Sequence, residues 1–303
     1  MKIKQNLIIA GGTGYLGNLL INHFKKDFNI FILTRKESKT KNGIQYLNWD
    51  SNWKYHVESS TVIINLAGKS INCLFTKKNK KELLNSRIHA TRQINEVIKN
   101  LKTPPKLFIN ASGISIYKET YKTDYDEYHY QYGTDFLSRL SQEWEAEFYR
   151  IRIPNTRKVA IRLAPVLGEE SQAIKSLLPI VKLGLGGKQG SGKQLFPFVH
   201  QTDFIRAVTY IIKNEKIENS VNLIAPTPTT NAKFTQVFRH ILHIPIGIPT
   251  PAFLLHISKY FTNVEPEIVL TSIFAKPKKL LENGFVFQFP NIEKTLDDIL
   301  KNN

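Results

Sequence analysis

The chain has 303 residues, 42% of them hydrophobic, which is typical of one large α/β domain or of such a domain with a smaller appendage. Its formal net charge of +17 comes from lysines spread along the sequence, so we expect a solvated basic surface and no nucleic-acid partner. Cys73 is the single cysteine, which excludes an intrachain disulfide, and no apolar run could span a bilayer, so the sequence predicts a cytoplasmic protein without a membrane partner.

The N-terminal segment contains a glycine-rich turn between a predicted strand at residues 7–10 and a predicted amphipathic helix. Turns of this kind bind dinucleotides, because glycines allow a tight bend, close approach of backbone N–H groups to a pyrophosphate, and close packing of helix on strand. The phosphates would lie at the positive end of the helix dipole. A structural turn without a ligand is the alternative. The turn consists of Gly11, Gly12, Thr13, Gly14, Tyr15, Leu16 and Gly17.

Four further apolar runs, at residues 29–33, 61–66, 106–110 and 158–163, alternate with helical patterns. This alternation predicts an α/β fold over residues 1–165, with a Rossmann-type doubly wound parallel sheet and helices on both faces. Ligands of such sheets bind beyond the carboxyl ends of the strands. The residues directly after each run are therefore the candidate site residues.

The second predicted strand ends at Thr34, and Arg35 and Lys36 follow it. No carboxylate stands there to accept the ribose hydroxyls of NAD. A guanidinium at this place can bind the 2′-phosphate of NADP through charged hydrogen bonds. Arg35 therefore predicts NADP(H), and an exposed basic residue on a lysine-rich surface is the alternative.

After residue 165 the alternation loosens, and we predict a smaller substrate-side lobe over residues 166–303, with a small, mostly helical C-terminal part at 249–303. Residues 195–228 are expected to pack back on the first domain. They contain a predicted strand at 195–199, a helix at 203–213 capped by Thr202 or Asp203, and a strand at 221–225. The glycine-rich stretch 187–193 is similar to a P-loop, but Gln194 stands where Ser or Thr would bind Mg²⁺ and no helix follows, which argues against an ATPase.

These motifs occur in the order found in extended short-chain dehydrogenases/reductases, and the chain resembles that family over essentially its whole length. More narrowly, it resembles the YfcH-type branch of NAD-dependent epimerase/dehydratase-like proteins, whose members carry a small C-terminal domain of unknown function. The motifs that carry the resemblance are the glycine turn and residues 34–35, 64–68, 86–87, 110–112, 162–163, 183–187, 199–200, 222–226, 230–231 and 277–285.

The resemblance implies that residues 11–17 wrap the pyrophosphate and that Arg35 binds the 2′-phosphate. It also implies that Leu66, Ala67 and Gly68 line the channel from adenosine to nicotinamide, and that Ser112 hydrogen-bonds a substrate oxygen. Close packing is the alternative role for Ala67 and Gly68, and local capping of the backbone is the alternative for Ser112.

Most members of the family use a tyrosine and a lysine four residues apart on one helix, because the ammonium lowers the pKa of the phenol from about 10. None of the 12 tyrosines of this chain has a lysine at that spacing. On the predicted helix over residues 135–145, Leu137 and Ser141 stand where the pair is expected.

Other groups are candidates for proton transfer. They are Tyr117 on the loop after Ser112, Glu143 and Glu145 on the predicted helix, and His200. Packing, a solvated helix face and a structural histidine are the respective alternatives. The tyrosine-rich stretch 121–132 is predicted to be a loop that covers the site.

Two functions remain open from the sequence. The first is an NADP(H)-dependent epimerase, reductase or dehydratase that acts on a nucleotide sugar or another small polar substrate. The second is a non-catalytic protein that senses NADP(H). We expect a small-molecule ligand and no metal, and a homodimer is left open.

Overall fold

A computed structural model describes residues 4–58, 60–262 and 264–301. The strands within these residues are β1 (Gln5–Ala10), β2 (Phe28–Thr34), β3 (Lys39–Lys41), β4 (Ile44–Asn48), β5 (Ser60–Asn65), β6 (Leu107–Gly113), β7 (Arg157–Leu163), β8 (Val166–Leu167), β9 (Val199–His200) and β10 (Asn219–Leu223). The helices are α1 (Tyr15–Phe24), α2 (Lys54–Glu58), α3 (Lys77–Lys99), α4 (Phe136–Tyr149), α5 (Gln172–Lys182), α6 (Gln201–Lys213), α7 (Asn231–Ile241), α8 (Ala252–Thr262), α9 (Glu267–Leu270), α10 (Lys278–Glu282) and α11 (Ile292–Leu300).

Eight strands form the central sheet, in the order β10, β7, β6, β5, β1, β2, β4, β3. The neighbouring strands run parallel except at the β3–β4 edge. Strands β2, β4 and β3 lie on one side of β1. The chain then returns to the other side of β1, where β5, β6, β7 and β10 follow one another. This arrangement confirms the predicted Rossmann-type doubly wound sheet, and its switch point lies between β1 and β5.

Side chains of the central strands alternate between two cores, one on each face of the sheet. On β1, Leu7 and Ile9 pack on the face covered by α1 and α6, whereas Ile8 and Ala10 pack on the face covered by α2, α3 and α4. Because both faces are buried, the strands are nearly continuous apolar runs, which made them easy to predict.

The C-terminal residues share cores with earlier parts of the chain. Phe285 and Phe287 pack in the core on the α1 and α6 face. Another cluster joins Ile174 of α5, Phe238 of α7 and Leu296 of α11. None of the described helices combines the length and apolar character that a bilayer span requires.

Three predicted boundaries after residue 165 are wrong. Of the predicted strand 195–199, only residue 199 lies in a strand, β9, because Pro197 has no N–H to give to a ladder. Helix α6 begins at Gln201, and its cap is His200, whose Nδ1 accepts a hydrogen bond from the Thr202 N–H at 3.1 Å. Strand β10 covers 219–223 instead of 221–225.

Candidate functional site

Two glycines of the turn after β1 lie so close to neighbouring backbone that neither position has room for a side chain. Gly11 has a φ of +78°, and a Cβ there would lie 2.7 Å from the carbonyl carbon of Leu66. A Cβ at Gly17 would lie 2.4 Å from the Cα of Gly12, so α1 packs directly on the turn. A side chain at either position would push α1 or the loop after β5 away from the turn.

The start of α1 faces open space. Gly14 is exposed, and the nearest atom that a Cβ there would meet, the Gly11 carbonyl oxygen, is 3.6 Å away. The helix has no side-chain cap and no acidic residue in its first turn. The positive end of the helix and the exposed backbone at Thr13 and Gly14 therefore form an open cradle that favours an anionic group such as a pyrophosphate.

Tyr15 and Leu16 of the turn pack toward the protein. The Tyr15 hydroxyl donates to Gln201 Oε1 at 2.9 Å, which ties α1 to α6. Burial, followed by the charge of Glu170, raises the pKa of Tyr15 well above its usual range. Leu16 is half-buried against the core.

The loop after β5 lies directly against the glycine turn. The Leu66 N–H donates to the Ala10 carbonyl at 2.9 Å, and the Ala67 N–H donates to Asn65 Oδ1 at 3.0 Å. Asn65 is itself buried and donates to Asn110 Oδ1 at 2.7 Å. Gly68 follows as an exposed residue, so this loop is a fixed wall at the carboxyl edge of the sheet.

Arg35 lies at the same sheet edge as the glycine turn, one residue beyond β2, which pairs in parallel with β1. Its side chain is exposed. The Asn48 amide donates to the carbonyl oxygens of Arg35 and Lys36 at 3.4 and 3.0 Å, which fixes the backbone and leaves the guanidinium free to meet a ligand.

Ser112 is buried beneath this edge, and its hydroxyl donates to Glu145 Oε1 at 2.7 Å. Glu145 also accepts two hydrogen bonds from Arg162, both at 2.9 Å. Burial lowers the pKa of Arg162, but the hydrogen bonds and charge of Glu145 raise it by more, so the net shift of the Arg162 pKa is upward. The alternative of a solvated helix face is therefore wrong for Glu145, and Arg162 in an apolar strand was a signal that a buried acid lies opposite. Glu143 is exposed, as that alternative predicts.

Tyr117 and His200 have structural partners. The Tyr117 hydroxyl is buried, donates to Asn222 Oδ1 at 2.6 Å and accepts from Arg162 Nη1 at 2.9 Å. Burial raises the pKa of Tyr117, against the lowering effect of Arg162. His200 is buried, stacks on Phe289 and lies 3.2 Å from the Asp298 carboxylate.

The positions of the absent tyrosine–lysine pair lie on the buried face of α4. Leu137 packs with Leu83 and Leu140, and Ser141 donates to the Leu137 carbonyl at 3.0 Å. Ser141 Oγ is also 3.3 Å from Ser115 Oγ. Ser115 is half-buried just beyond β6, and we missed it because the predicted strand ended at residue 110 instead of Gly113.

Two loops pack against the C-terminal half. In the tyrosine-rich loop, the Tyr125 N–H donates to the Phe274 carbonyl at 2.9 Å. In the glycine-rich stretch 187–193, the N–H groups of Gly187 and Gly190 donate to the carbonyls of Ile248 and Thr250 at 3.2 and 2.8 Å. These amides are occupied by backbone, in agreement with the argument against a P-loop.

A doubly wound sheet with an open glycine cradle at its switch point defines a Rossmann-type, NAD(P)-binding fold. The family model of the NAD dependent epimerase/dehydratase family matches residues 7–223, and the domain of unknown function DUF1731 matches residues 250–299. The chain belongs to the NAD dependent epimerase/dehydratase family.

Known relatives match the whole chain. It is 33% identical over 305 residues to an epimerase family protein of Staphylococcus aureus (strain N315), covering 99% of this chain and 100% of that protein. Among solved structures, the human epimerase family protein SDR39U1 (isoform 2) with NADPH has a TM-score of 0.88 and 28% identity, covering 99% of this chain and 100% of that one. The nucleoside-diphosphate sugar epimerase of Corynebacterium glutamicum, with a TM-score of 0.77 and 21% identity over 99% of this chain and 59% of that one, shares the fold.

Proposed function

We propose that this protein is an NADP(H)-dependent enzyme of the epimerase and oxidoreductase class, acting on a nucleotide sugar or another small polar substrate without a tyrosine–lysine pair. The observation that carries the proposal is the open cradle at Gly14 beside an exposed Arg35 on the same sheet edge. The NADPH in the structure of the 28% identical human relative supports the choice of NADP(H) over NAD(H).

The chain's own residues would divide the work as follows. Residues 11–17 hold the pyrophosphate, Arg35 holds the 2′-phosphate, and Leu66, Ala67 and Gly68 bound the channel toward the nicotinamide. When bound, the cofactor supplies hydride transfer. Of the two hydroxyls at the end of β6, Ser115 is better suited than Ser112 to hydrogen-bond a substrate oxygen, because the Ser112 proton is given to Glu145.

A second function is a non-catalytic NADP(H) sensor. The observation in its favour is that the two candidate catalytic residues are buried and engaged, Tyr117 with Asn222 and Ser112 with Glu145. A sensor needs the cradle and Arg35 but no proton donor.

Calorimetric titration with NADPH and NADH tests the cofactor. We expect tighter binding of NADPH, and Arg35→Ala should weaken it by roughly 10- to 100-fold with little effect on NADH, because charged hydrogen bonds to phosphate are strong. Lys41→Ala, an exposed charge on the edge strand β3, is the control. Equal affinities for both cofactors in the unaltered protein would refute the role of Arg35.

Single-turnover oxidation of bound NADPH with a panel of nucleotide sugars, ketones and quinones separates the two functions. A reductase oxidises NADPH with at least one member of the panel, and an epimerase, which returns the hydride, converts a nucleotide sugar without net oxidation. A sensor binds NADPH, does neither, and changes its conformation or partner binding with cofactor occupancy.

A further inference from the structure

Helix α8 has no buried side chain among its described residues. Its half-buried residues are Leu255, Ser258 and Lys259, which lie on one side of the helix. This side faces the rest of the protein, and there Lys259 forms an ion pair with Glu265 at 3.2 Å. The side of α8 that packs on the protein is therefore partly polar.

The opposite side of α8 carries an apolar stripe that consists of Phe253, Ile257 and Tyr260. These residues follow one another at spacings of four and three, which places them on one face of a helix. Their exposed fractions are 63%, 54% and 69%. A surface helix normally turns its apolar face toward the core and its polar face toward water. Helix α8 has the reverse arrangement, which is typical of a helix whose apolar face is covered by a partner.

A second exposed apolar surface, the apolar ridge, lies close to α8. It consists of four exposed aliphatic residues on two loops, Leu183, Leu185, Ile246 and Ile248. The Gly187 N–H donates to the Ile248 carbonyl at 3.2 Å, and the Ile248 N–H donates to the Gly184 carbonyl at 2.9 Å, so the two loops are held side by side. Helix α8 begins four residues after Ile248, which places its first turn within about 15 Å of the ridge.

The stripe and the ridge together have the area of a stable interface. If the whole surface of a large side chain is about 150–200 Å², their seven side chains expose roughly 700 Å². The largest apolar patch on a typical monomer measures about 300–600 Å², whereas each partner of a standard interface buries about 800 Å². The exposed area therefore matches one half of a protein–protein interface.

The pattern of residues on α8 fits a second copy of the same helix. An aromatic residue stands at each end of the stripe and an aliphatic residue between them, so the stripe is nearly symmetric about its centre. In an antiparallel pair of α8 helices, Ile257 would lie near the two-fold axis and Phe253 of each copy would face Tyr260 of the other. The helix contains no acidic residue and its only lysine is paired with Glu265, so the stripe has no free lysine or arginine to attract an anionic partner.

We propose that the protein is a homodimer joined through the apolar stripe of α8, with the apolar ridge at the edge of the interface. The dimer buries on each copy the apolar side chains that a single copy leaves in water, and this burial supplies the free energy of association. The proposal does not depend on the cofactor or on the reaction, because none of these residues belongs to the candidate site.

Sedimentation equilibrium of the full chain tests the proposal with two variants of the stripe. Ile257→Asp places two like charges near the two-fold axis, and Phe253→Ser removes one aromatic contact from each end of the helix pair. Val286→Asp is the matched control, because Val286 is also an exposed aliphatic residue but lies next to Phe285, which packs on the α1 and α6 face. Thermal melts followed by circular dichroism confirm that each variant is folded.

We expect the parent to form a dimer with a Kd of about 1 μM or lower. Ile257→Asp should raise this Kd by about 100-fold or more, Phe253→Ser by about tenfold, and Val286→Asp by less than about twofold. Raising the NaCl concentration from about 0.1 M to about 1 M should strengthen the parent dimer, because it screens the repulsion between the exposed Lys182 and Lys188 beside the ridge of each copy.

A parent that stays monomeric at about 100 μM, or a dimer that Ile257→Asp leaves intact, would overturn the proposal. A dimer that dissociates at the higher salt concentration would also overturn it, since ion pairs and not the apolar stripe would then join the two copies. If a monomeric parent instead sediments with phosphatidylglycerol vesicles and Ile257→Asp does not, the stripe binds a lipid surface and a second copy is excluded as its partner.

Discussion

Ser112 and Ser115 lie three residues apart at the end of β6, and their hydroxyl groups have different surroundings. Ser112 lies within the strand and donates into a buried acid, whereas Ser115 lies beyond it, half-buried, beside the Ser141 hydroxyl. Because Ser141 donates to the Leu137 carbonyl, Ser115 is the donor at its 3.3 Å contact with Ser141, a longer hydrogen bond than the 2.7 Å bond from Ser112 to Glu145. Ser115 is therefore the donor that a substrate oxygen can recruit more readily, and Ser112 positions Glu145.

The two serines should fail in different ways when mutated. Ser115→Ala should lower kcat about 10- to 100-fold with unchanged folding stability, because a hydrogen bond to a reacting oxygen acts mainly in the transition state. Ser112→Ala should lower the free energy of unfolding by about 1–3 kcal/mol, because Glu145 loses a buried donor. Turnover and urea unfolding of both variants decide this, and a normal kcat in Ser115→Ala would leave the substrate donor unassigned.

Single residues show what the sequence could and could not predict at this scale. The glycines of the turn could be located from their spacing, because the backbone around Gly11 and Gly17 leaves no room for a side chain. The role of Arg35 stays a prediction. The contacts of Ser112, Tyr117 and Glu145 were not predictable, because they depend on which residues of β7 and β10 lie opposite. Only the placement of strands that are distant in sequence creates that buried network.

At the scale of elements, the Glu145–Arg162 pair joins α4 to β7. Both side chains are almost fully buried, and each satisfies several donors or acceptors of the other. Removing one partner of such a pair leaves an uncompensated buried charge, which is far more costly than the net gain from the intact pair.

Glu145→Gln should therefore lower the free energy of unfolding by about 3–5 kcal/mol. Glu143→Gln, an exposed position two residues earlier on the same helix, should change it by less than about 0.5 kcal/mol. Denaturant unfolding followed by circular dichroism measures both. Similar losses of unfolding free energy in the two variants would mean that the change in helix propensity, and not the loss of the buried pair, causes the destabilisation.

The start of α6 depends on a neutral histidine. Burial lowers the pKa of His200 from 6.5, although the facing carboxylates Asp298 and Asp203 raise it. Its Nδ1 must be unprotonated to accept from the Thr202 N–H. The folded state thus binds fewer protons at this site than the unfolded state does, so the stabilisation is present above about pH 6.5 and is lost as the pH falls below it.

His200→Asn keeps a capping oxygen but cannot titrate, so it should lose less stability than the parent between pH 7 and about pH 5.5. His256→Asn, at an exposed histidine of α8, is the control. Unfolding free energies across this range provide the measurement. Parallel profiles for the parent and His200→Asn would contradict a depressed pKa.

Elements were easiest to predict where both faces of a strand are buried. Strands β1, β2, β5, β6 and β7 were each located to within three residues at either end, since no polar residue interrupts most of their length. Prediction failed at β9 and at the start of α6. There, Pro197 interrupts an apolar run and a histidine replaces the expected hydroxyl or carboxylate cap.

At the scale of the whole molecule, the domain of unknown function DUF1731 matches the chain from residue 250 onward. The hydrophobic cores nevertheless continue across that boundary. Buried Asp203 of α6 accepts hydrogen bonds from the N–H groups of Gln288 and Phe289 at 2.9 and 2.8 Å. Phe285 and Leu296 lie in cores shared with α6 and α7. Residues 280–300 therefore complete cores that the preceding residues leave open.

This arrangement predicts that the chain unfolds as one cooperative unit. Native-state hydrogen exchange should give backbone amides of α11 and of β1 the same opening free energy. Opening α11 would expose the core that it shares with α7, and the remaining structure would then unfold with it. Asp203→Ala should lower both values together, by about 2–4 kcal/mol, since two buried N–H groups lose their acceptor. Asp27→Ala, at an exposed turn, is the control. An opening free energy for α11 well below that of β1, with β1 unaffected by Asp203→Ala, would show that the C-terminal residues fold separately from the sheet.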